Sequence, residues 1–183
     1  EAARRGAEVT LVSGPTQLAA PPGVEVVRVG TAEEMRSAVL ARFDHADAVI
    51  KAAAVADFRP KVAERRKLKK EESPPELVLE PTPDILRDLG ERKGERVLVG
   101  FAAETDDLEA AGRRKLAGKR LDLVVVNEVG RPGTGFDADT NRAMLLDAAG
   151  RDVPLREWTK AELARAVCDR VAALLEPATI PRS

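Results

Sequence analysis

The chain has 183 residues, of which 44% are hydrophobic, and this length and composition suit one folded domain with a single core. Thirty basic residues against thirty-one acidic ones give a net charge of −1, which argues against a general affinity for nucleic acid or for an anionic membrane. One cysteine, Cys168, and one histidine, His45, are too few for an internal disulfide or for the usual zinc ligand sets. No apolar run has the length of a membrane span and no signal peptide is visible, so a cytoplasmic protein is expected.

Predicted strands and helices alternate along most of the chain. Apolar or alternating runs bounded by turn residues predict strands at 9–13, 24–29, 48–54, 76–80, 96–104 and 121–129. Side chains able to cap a helix predict helix starts at Thr31, Thr82, Thr105 and Thr159. Two of these starts are capping boxes, because Glu34 and Glu162 follow their threonines by three residues. The run 48–54 is apolar apart from Lys51, which predicts a strand buried on both faces.

This order of elements predicts a Rossmann-like, doubly wound α/β domain with a mostly parallel sheet and helices on both faces. Residues 144–155 form a predicted β-hairpin, which we expect to be a small appendage used for association between subunits. The domain is assigned to residues 1–176 and a C-terminal tail to residues 177–183. The first residues resemble the last turns of a helix that ends at Gly6, so an N-terminal strand, a glycine-rich loop and most of a helix are expected to precede them.

Ligands of doubly wound sheets bind beyond the carboxyl ends of the strands. The strand exits selected by this rule are Ser13, Ala54, Glu104 and Asn127. After Ala54, small side chains let a ligand approach the backbone, and the carboxylate of Asp57 suits a ribose hydroxyl, a base amine, a metal or the capping of a turn. The charged segment 61–70 that follows is either a solvated loop or a mobile clamp whose lysines bind phosphate.

Two lysines, Lys115 and Lys119, lie four residues apart in the helix after the strand 96–104, so they project from one side of that helix. This spacing fits either an exposed amphipathic helix or an anion site. Phe101 lies near the carboxyl end of the same strand, where it is either a core residue or a surface for a nucleobase.

The motifs AAAVADFRP, KLKK, PTPDIL, GFAAET, KLAGK and DLVVVNEV occur in an order and spacing that closely resemble the bacterial phosphopantothenoylcysteine synthetase family. The likeness extends from about Gly6 to the last helix and includes GTGFDADTN. The resemblance implies a ligase of coenzyme A biosynthesis that uses CTP. In that reaction CTP activates 4′-phosphopantothenate as an acyl-cytidylate, and the amine of L-cysteine then forms the amide and releases CMP.

The resemblance places the family's nucleotide site on nine residues of this chain. They are Asp57, Lys67, Pro83, Asp84, Ile85, Leu86, Phe101, Lys115 and Lys119, with Lys67 as the catalytic residue. It also implies Mg²⁺ carried by the triphosphate, with Asp57 as a metal contact. The positions that handle phosphopantothenate in the family correspond to a region before residue 1, so no residue is assigned to them.

The resemblance further implies a homodimer, and it implies larger oligomers containing FMN if a flavoprotein decarboxylase domain precedes this one. Two other functions stay open: an NAD(P)-dependent oxidoreductase on a similar fold, and a nucleotide-binding fragment without turnover. The segment VEVVRVG has no acidic residue at its end, which counts against the oxidoreductase. Residue types alone do not distinguish CTP from ATP.

Overall fold

The computed structural model describes residues 1–61, 77–130 and 140–176. A 3-10 turn at Ala3–Arg5 ends at Gly6, whose φ of 88° lies in the left-handed region, as the sequence predicts for a helix stop. The described strands are β1 (Thr10–Ser13), β2 (Glu25–Arg28), β3 (Ala48–Lys51), β4 (Phe58–Pro60), β5 (Leu79–Pro81), β6 (Val97–Glu104), β7 (Leu123–Glu128), β8 (Thr140–Asp147) and β9 (Val153–Thr159). The described helices are α1 (Ala32–Phe43), α2 (Ile85–Glu91), α3 (Leu108–Gly118) and α4 (Lys160–Leu175).

The central sheet has five strands in the order β3, β6, β7, β8, β9. β3, β6 and β7 run parallel, and β8 and β9 join the sheet antiparallel. β1 and β2 form a separate parallel pair, and β4 and β5 form a short antiparallel ribbon. The prediction of a mixed α/β fold with a mostly parallel central sheet is confirmed.

The predicted hairpin is present as β8 and β9, but it is part of the central sheet and not an appendage. β8 pairs with β7 along its length, from Asp147 opposite Leu123 to Ala143 opposite Asn127. Leu145 and Leu146 are both buried although they face opposite sides of the strand. A strand that is apolar on both faces must be covered on both sides, and this places β8 inside the sheet.

Helices cover the two faces of the sheet and bury a core layer on each. On one face, α1, α2 and α3 contribute residues such as Met35, Leu89 and Leu116. On the other face, α4 contributes Leu163 and Val167. Because side chains alternate along a strand, the residues of β6 alternate between the two layers, and this order fixes which face each site residue points to.

The observed N-cap residue is the predicted one in α1 and α4 and a different one in α2 and α3. Both predicted capping boxes form, at Thr31 and at Thr159. α2 is capped by Asp84 and not by Thr82, because Thr82 is used to tie its segment to Ala56. α3 has Asp107 at its N-cap with φ of 44° and without a capping side-chain hydrogen bond.

Two predicted strands are shorter than expected and lie at edges. β3 ends at Lys51, and it forms an outer edge of the five-stranded sheet, with Ile50 41% exposed, so the prediction that it is buried on both faces is wrong. The strand predicted at 76–80 is observed as β5, where it pairs with β4 and not with the central sheet. β3 borders the cavity described below through Ile50 and Lys51, which removes the cover that an interior strand would have. Of the helices in the described part of the chain, none combines the length and the apolar composition needed to cross a membrane.

Candidate functional site

A cavity of about 830 Å³ opens at the carboxyl ends of β3, β6 and β7. This size is typical of small-molecule sites. Of the four predicted strand exits, Ala54 and Asn127 line it, whereas Ser13 and Glu104 do not. The alanines at 52–54 and the alanines at 102 and 103 form much of its floor, so a ligand can approach the backbone closely.

The two predicted lysines of α3 both reach this cavity. Lys115 donates from Nζ to the carbonyl oxygen of Phe101 at 2.6 Å. Burial, and then the charge of Lys119, lower the pKa of Lys115, while Glu104, Asp84 and Asp57 act in the opposite direction. The amphipathic pattern of the helix therefore has a consequence beyond solubility, because it directs two ammonium groups into one cavity.

Asp84 joins the start of α2 to the end of α3. Its Oδ1 accepts the backbone N–H of Arg87 at 3.2 Å, and its carboxylate forms an ion pair with Lys119 at 2.8 Å. Burial by itself raises the pKa of Asp84, but the hydrogen bonds from Lys119 and Arg87 and the charges of Lys119 and Lys51 leave that pKa below its ordinary value of 3.8. A carboxylate with a lowered pKa stabilises the folded state at pH above that ordinary value.

We therefore expect Asp84→Asn to lose stability at neutral pH and to match the wild type in acid. Asparagine still caps a helix, so the change removes the ion pair with Lys119 and leaves the cap. Because Asp84 is 42% exposed, the expected loss in the free energy of unfolding is below about 1 kcal/mol. The loss should be present at about pH 6 and vanish as the pH falls below the ordinary pKa and through the lowered one.

Urea unfolding of the two proteins at several pH values measures this difference. Glu91→Gln is the control, since Glu91 lies at the other end of α2 in an exposed pair with Arg87 at 3.7 Å. A difference between Asp84→Asn and wild type that stays constant with pH would contradict the expectation.

The other site residues predicted around α2 and β6 are buried or partly buried core residues, or lie just before the helix. Ile85 and Leu86 line the cavity, but their side chains are 2% and 3% exposed and belong to the core layer on the α2 side. Pro83 lies before the helix and not in its first turn. Phe101 is partly buried against the core layer of α4 and also lines the cavity.

Asp57 is held beside the start of α2 by the antiparallel pairing of β4 with β5 and by the hydrogen bonds that continue it. Its carbonyl oxygen accepts the backbone N–H of Thr82 at 2.9 Å, and the Thr82 hydroxyl donates to the carbonyl oxygen of Ala56. Asp57 is exposed and lines the same cavity as Asp84. Lys67 lies outside the described residues, so its position relative to Asp57 stays a prediction.

Asn141 and Lys51 are among the polar residues of the cavity that the sequence did not select. Asn141 of β8 donates from Nδ2 to Oδ1 of Asn127 at 3.0 Å, and both line the cavity. Lys51 enters it from the end of β3. Its signal was visible, since it is the one charged residue in an otherwise apolar run, but sequence alone did not say that it faces a ligand.

Within residues 1–61, 77–130 and 140–176, no group of three or more histidine, cysteine, aspartate or glutamate side chains is placed to hold a metal ion. Three carboxylate residues line the cavity: Glu1 is paired with Arg4 and Arg5, and Asp57 and Asp84 lie beside the start of α2. This donor set fits a magnesium ion that is bound mainly by phosphate oxygens and water, since such ions need one or two carboxylates from the protein.

The fold and the cavity define a doubly wound α/β protein with a lysine-lined cavity at the carboxyl edge of its sheet. Residues 1–175 match the family described as the DNA/pantothenate metabolism flavoprotein C-terminal domain, and the chain belongs to this family. This confirms the resemblance seen in the sequence.

Curated relatives and solved structures agree with the family assignment. The chain is 46% identical over 174 residues to the coenzyme A biosynthesis bifunctional protein CoaBC of Bacillus subtilis strain 168, covering 94% of this chain and 43% of that protein. It is 39% identical over 176 residues to a cysteine/cysteine sulfinic acid decarboxylase from an unknown prokaryotic organism, covering 95% of this chain and 49% of that protein. The crystal structure of the C-terminal domain of CoaBC superimposes with a TM-score of 0.79 at 37% identity, covering 95% of this chain and 78% of that one. The chain thus spans less than half the length of these two curated relatives.

Proposed function

We propose that this chain is the ligase part of a coenzyme A biosynthesis protein and joins 4′-phosphopantothenate to cysteine. CTP first reacts with the carboxylate of 4′-phosphopantothenate, giving an acyl-cytidylate and pyrophosphate. The amine of L-cysteine then attacks the activated carbonyl and releases CMP. The observation that carries this proposal is that family membership over residues 1–175 coincides with one cavity containing eight of the nine residues implied by the resemblance.

The proposed roles follow from the charges and positions in the cavity. Lys115 and Lys119 oppose the negative charge that grows on the pyrophosphate leaving group. Positioned cations of this kind supply most of the catalysis in phosphoryl transfer, since the chemistry needs little covalent help from the protein. The small residues at 52–54 and the ring of Phe101 provide the surface on which the nucleoside lies.

Magnesium is part of the proposal as the partner of the triphosphate. Asp57 is the carboxylate proposed to contact it. When bound, the ion supplies charge neutralisation on the phosphates. Asp57 itself would orient this end of the ligand against the start of α2, because its backbone is tied to Thr82.

A homodimer in a cytoplasmic setting is also proposed, and light scattering over a concentration series tests the dimer. The alternative of an NAD(P)-dependent oxidoreductase is not favoured by the relatives. Calorimetry with CTP, ATP and NADH compares the three nucleotides directly. A protein that binds NADH but binds neither CTP nor ATP would contradict the ligase proposal.

Product analysis tests the ligase reaction. The protein containing this chain is incubated with 4′-phosphopantothenate, CTP, Mg²⁺ and L-cysteine. CMP is measured in this mixture and in two controls, one without 4′-phosphopantothenate and one without L-cysteine. CMP that depends on both substrates is the expected result, and CMP at background would overturn the proposal. Carbon dioxide released from cysteine in the absence of nucleotide would instead agree with the name of the decarboxylase relative.

We expect Lys67→Gln to lower turnover in that assay by about tenfold, because a lysine that binds phosphate contributes one charge-assisted contact. The control is Arg114→Gln, which removes an exposed cation of α3 that does not line the cavity. Equal turnover in the two variants would mean that Lys67 is a solvated surface charge.

A further inference from the structure

Lys51 is a cavity residue that the resemblance does not assign. It is the last residue of β3 and pairs with Gly100 in the parallel register with β6. Val49, two residues earlier, packs into the core layer of α1, α2 and α3, so Lys51 points to the same face. A side chain at Gly100 would meet Leu86 and Leu121, which lie on that face too. Two independent observations thus place Lys51 on the side of Lys115 and Lys119.

The contacts of Lys51 leave its charge largely uncompensated. Its Nζ donates to the carbonyl oxygen of Ala53 at 3.0 Å, which uses one of its three hydrogens. Among the ion pairs of the described residues, Lys119 has a carboxylate partner, Asp84, whereas Lys51 and Lys115 each donate to a backbone carbonyl. Of the four lysines that line the cavity, Lys51, Lys115 and Lys119 therefore have one direct carboxylate contact between them among the described residues.

The surroundings of Lys51 lower the pKa of its ammonium group. Burial, and then the charges of Lys115 and Lys119, lower the pKa of Lys51, and the carboxylates of Asp84 and Asp57 only partly oppose this. A half-buried cluster of like charges is unfavourable in the free protein and becomes favourable when an anion enters it. A linear polyanion suits such a cluster better than a single phosphate, because its charges are spread over several groups.

We propose that Lys51 is a third phosphate-binding lysine, which together with Lys115 and Lys119 forms a subsite for the polyphosphate chain of a nucleotide. The identity of the nucleotide rests on the proposed function, whereas the anion subsite rests on the three lysines. The competing role is structural: Lys51 holds the end of β3 through its bond to Ala53. The two roles differ in what removal of the charge does to the free protein. Loss of a structural bond lowers stability, whereas loss of an uncompensated, half-buried charge leaves it equal or higher.

Calorimetric titration with inorganic tripolyphosphate, without magnesium, tests this inference on the anion alone. We expect Lys51→Met to bind tripolyphosphate at least about tenfold more weakly than the wild type, and Lys51→Arg to recover part of the loss. Arg114→Met is the matched control, because it removes one positive charge from an exposed position of α3 outside the cavity, and its affinity should stay within about twofold. The melting temperature of Lys51→Met without ligand should equal or exceed that of the wild type.

Each outcome separates the inference from the proposed function. Equal affinities of Lys51→Met and wild type for tripolyphosphate overturn the inference and leave the ligase proposal intact. A lowered melting temperature combined with unchanged affinity assigns Lys51 the structural role. Weakened tripolyphosphate binding in a protein that makes no CMP supports the subsite and overturns the ligase proposal.

Discussion

Replacing Lys115 with glutamine is expected to lower turnover in the CMP assay by about a hundredfold, which is the usual effect of removing one group that stabilises transition-state charge. Lys115 lies within α3, so its ammonium group is positioned by a rigid element. It is half-buried, which strengthens its interaction with an anion compared with a lysine in water. In the described structure its Nζ donates a hydrogen bond to the carbonyl oxygen of Phe101, and both residues line the cavity where the anion is proposed to bind.

The fold should survive this change because α3 packs through other residues. Leu116 and Gly112 face the core, while Lys115 faces the cavity. Arg114→Gln is the control, since Arg114 is the neighbouring exposed cation of the same helix. Steady-state kinetics should show a fall in kcat for Lys115→Gln and no change for Arg114→Gln. Equal rates in both variants would remove Lys115 from the proposed mechanism.

The second large effect is expected at Gly90, where alanine should destabilise the protein by about 2–3 kcal/mol. Gly90 lies in α2, where alanine would otherwise gain up to about 1 kcal/mol from helix propensity. A Cβ at this position would lie 2.2 Å from the carbonyl oxygen of Lys119 and 3.0 Å from its carbonyl carbon. Both are backbone atoms, so the clash is relieved only if α2 and the end of α3 move apart.

The close approach of α2 to α3 at Gly90 also helps to position Asp84 and Lys119, because these residues cap the same two helices. Gly90→Ala is therefore expected to weaken tripolyphosphate binding as well as stability, at a temperature where the variant is still folded. Gly118→Ala is the matched control, because a Cβ at Gly118 meets no atom within 4 Å. It should raise the free energy of unfolding by about 0.5–1 kcal/mol. Urea unfolding compares the two, and a stabilised Gly90→Ala protein would show that α2 does not depend on this close approach.

How far the site could be predicted from sequence depended on the range of the interactions involved. Lys115 and Lys119 were found because their spacing of four places them on one side of any helix. Asp84 was assigned through the family resemblance, and the helix start predicted beside it had its cap assigned to Thr82. That error arose because the hydroxyl of Thr82 has a partner at Ala56, and this partner is distant in the chain.

Lys51, in contrast, could not be assigned to the cavity from the sequence. In the sequence it interrupts an apolar run, and a charged residue at an edge strand normally faces water. Its proximity to Lys115 and Lys119 depends on the parallel pairing of β3 with β6 and on the packing of α3 against β6 and β7. Lys51 lies more than sixty positions before Lys115 and Lys119 in the chain, so no local pattern relates it to them.

The sequence by itself determined the elements whose signals are local. The capping boxes at Thr31 and Thr159 form within one helical turn, and apolar runs such as 121–129 define strands without reference to their partners. The tertiary structure decided which strand is an edge, that β8 lies inside the sheet, and that α2 approaches α3 closely enough to exclude a methyl group at Gly90. Those features depend on hydrogen-bond pairing and packing between segments distant in the chain, and they bring Lys51, Lys115 and Lys119 to one cavity.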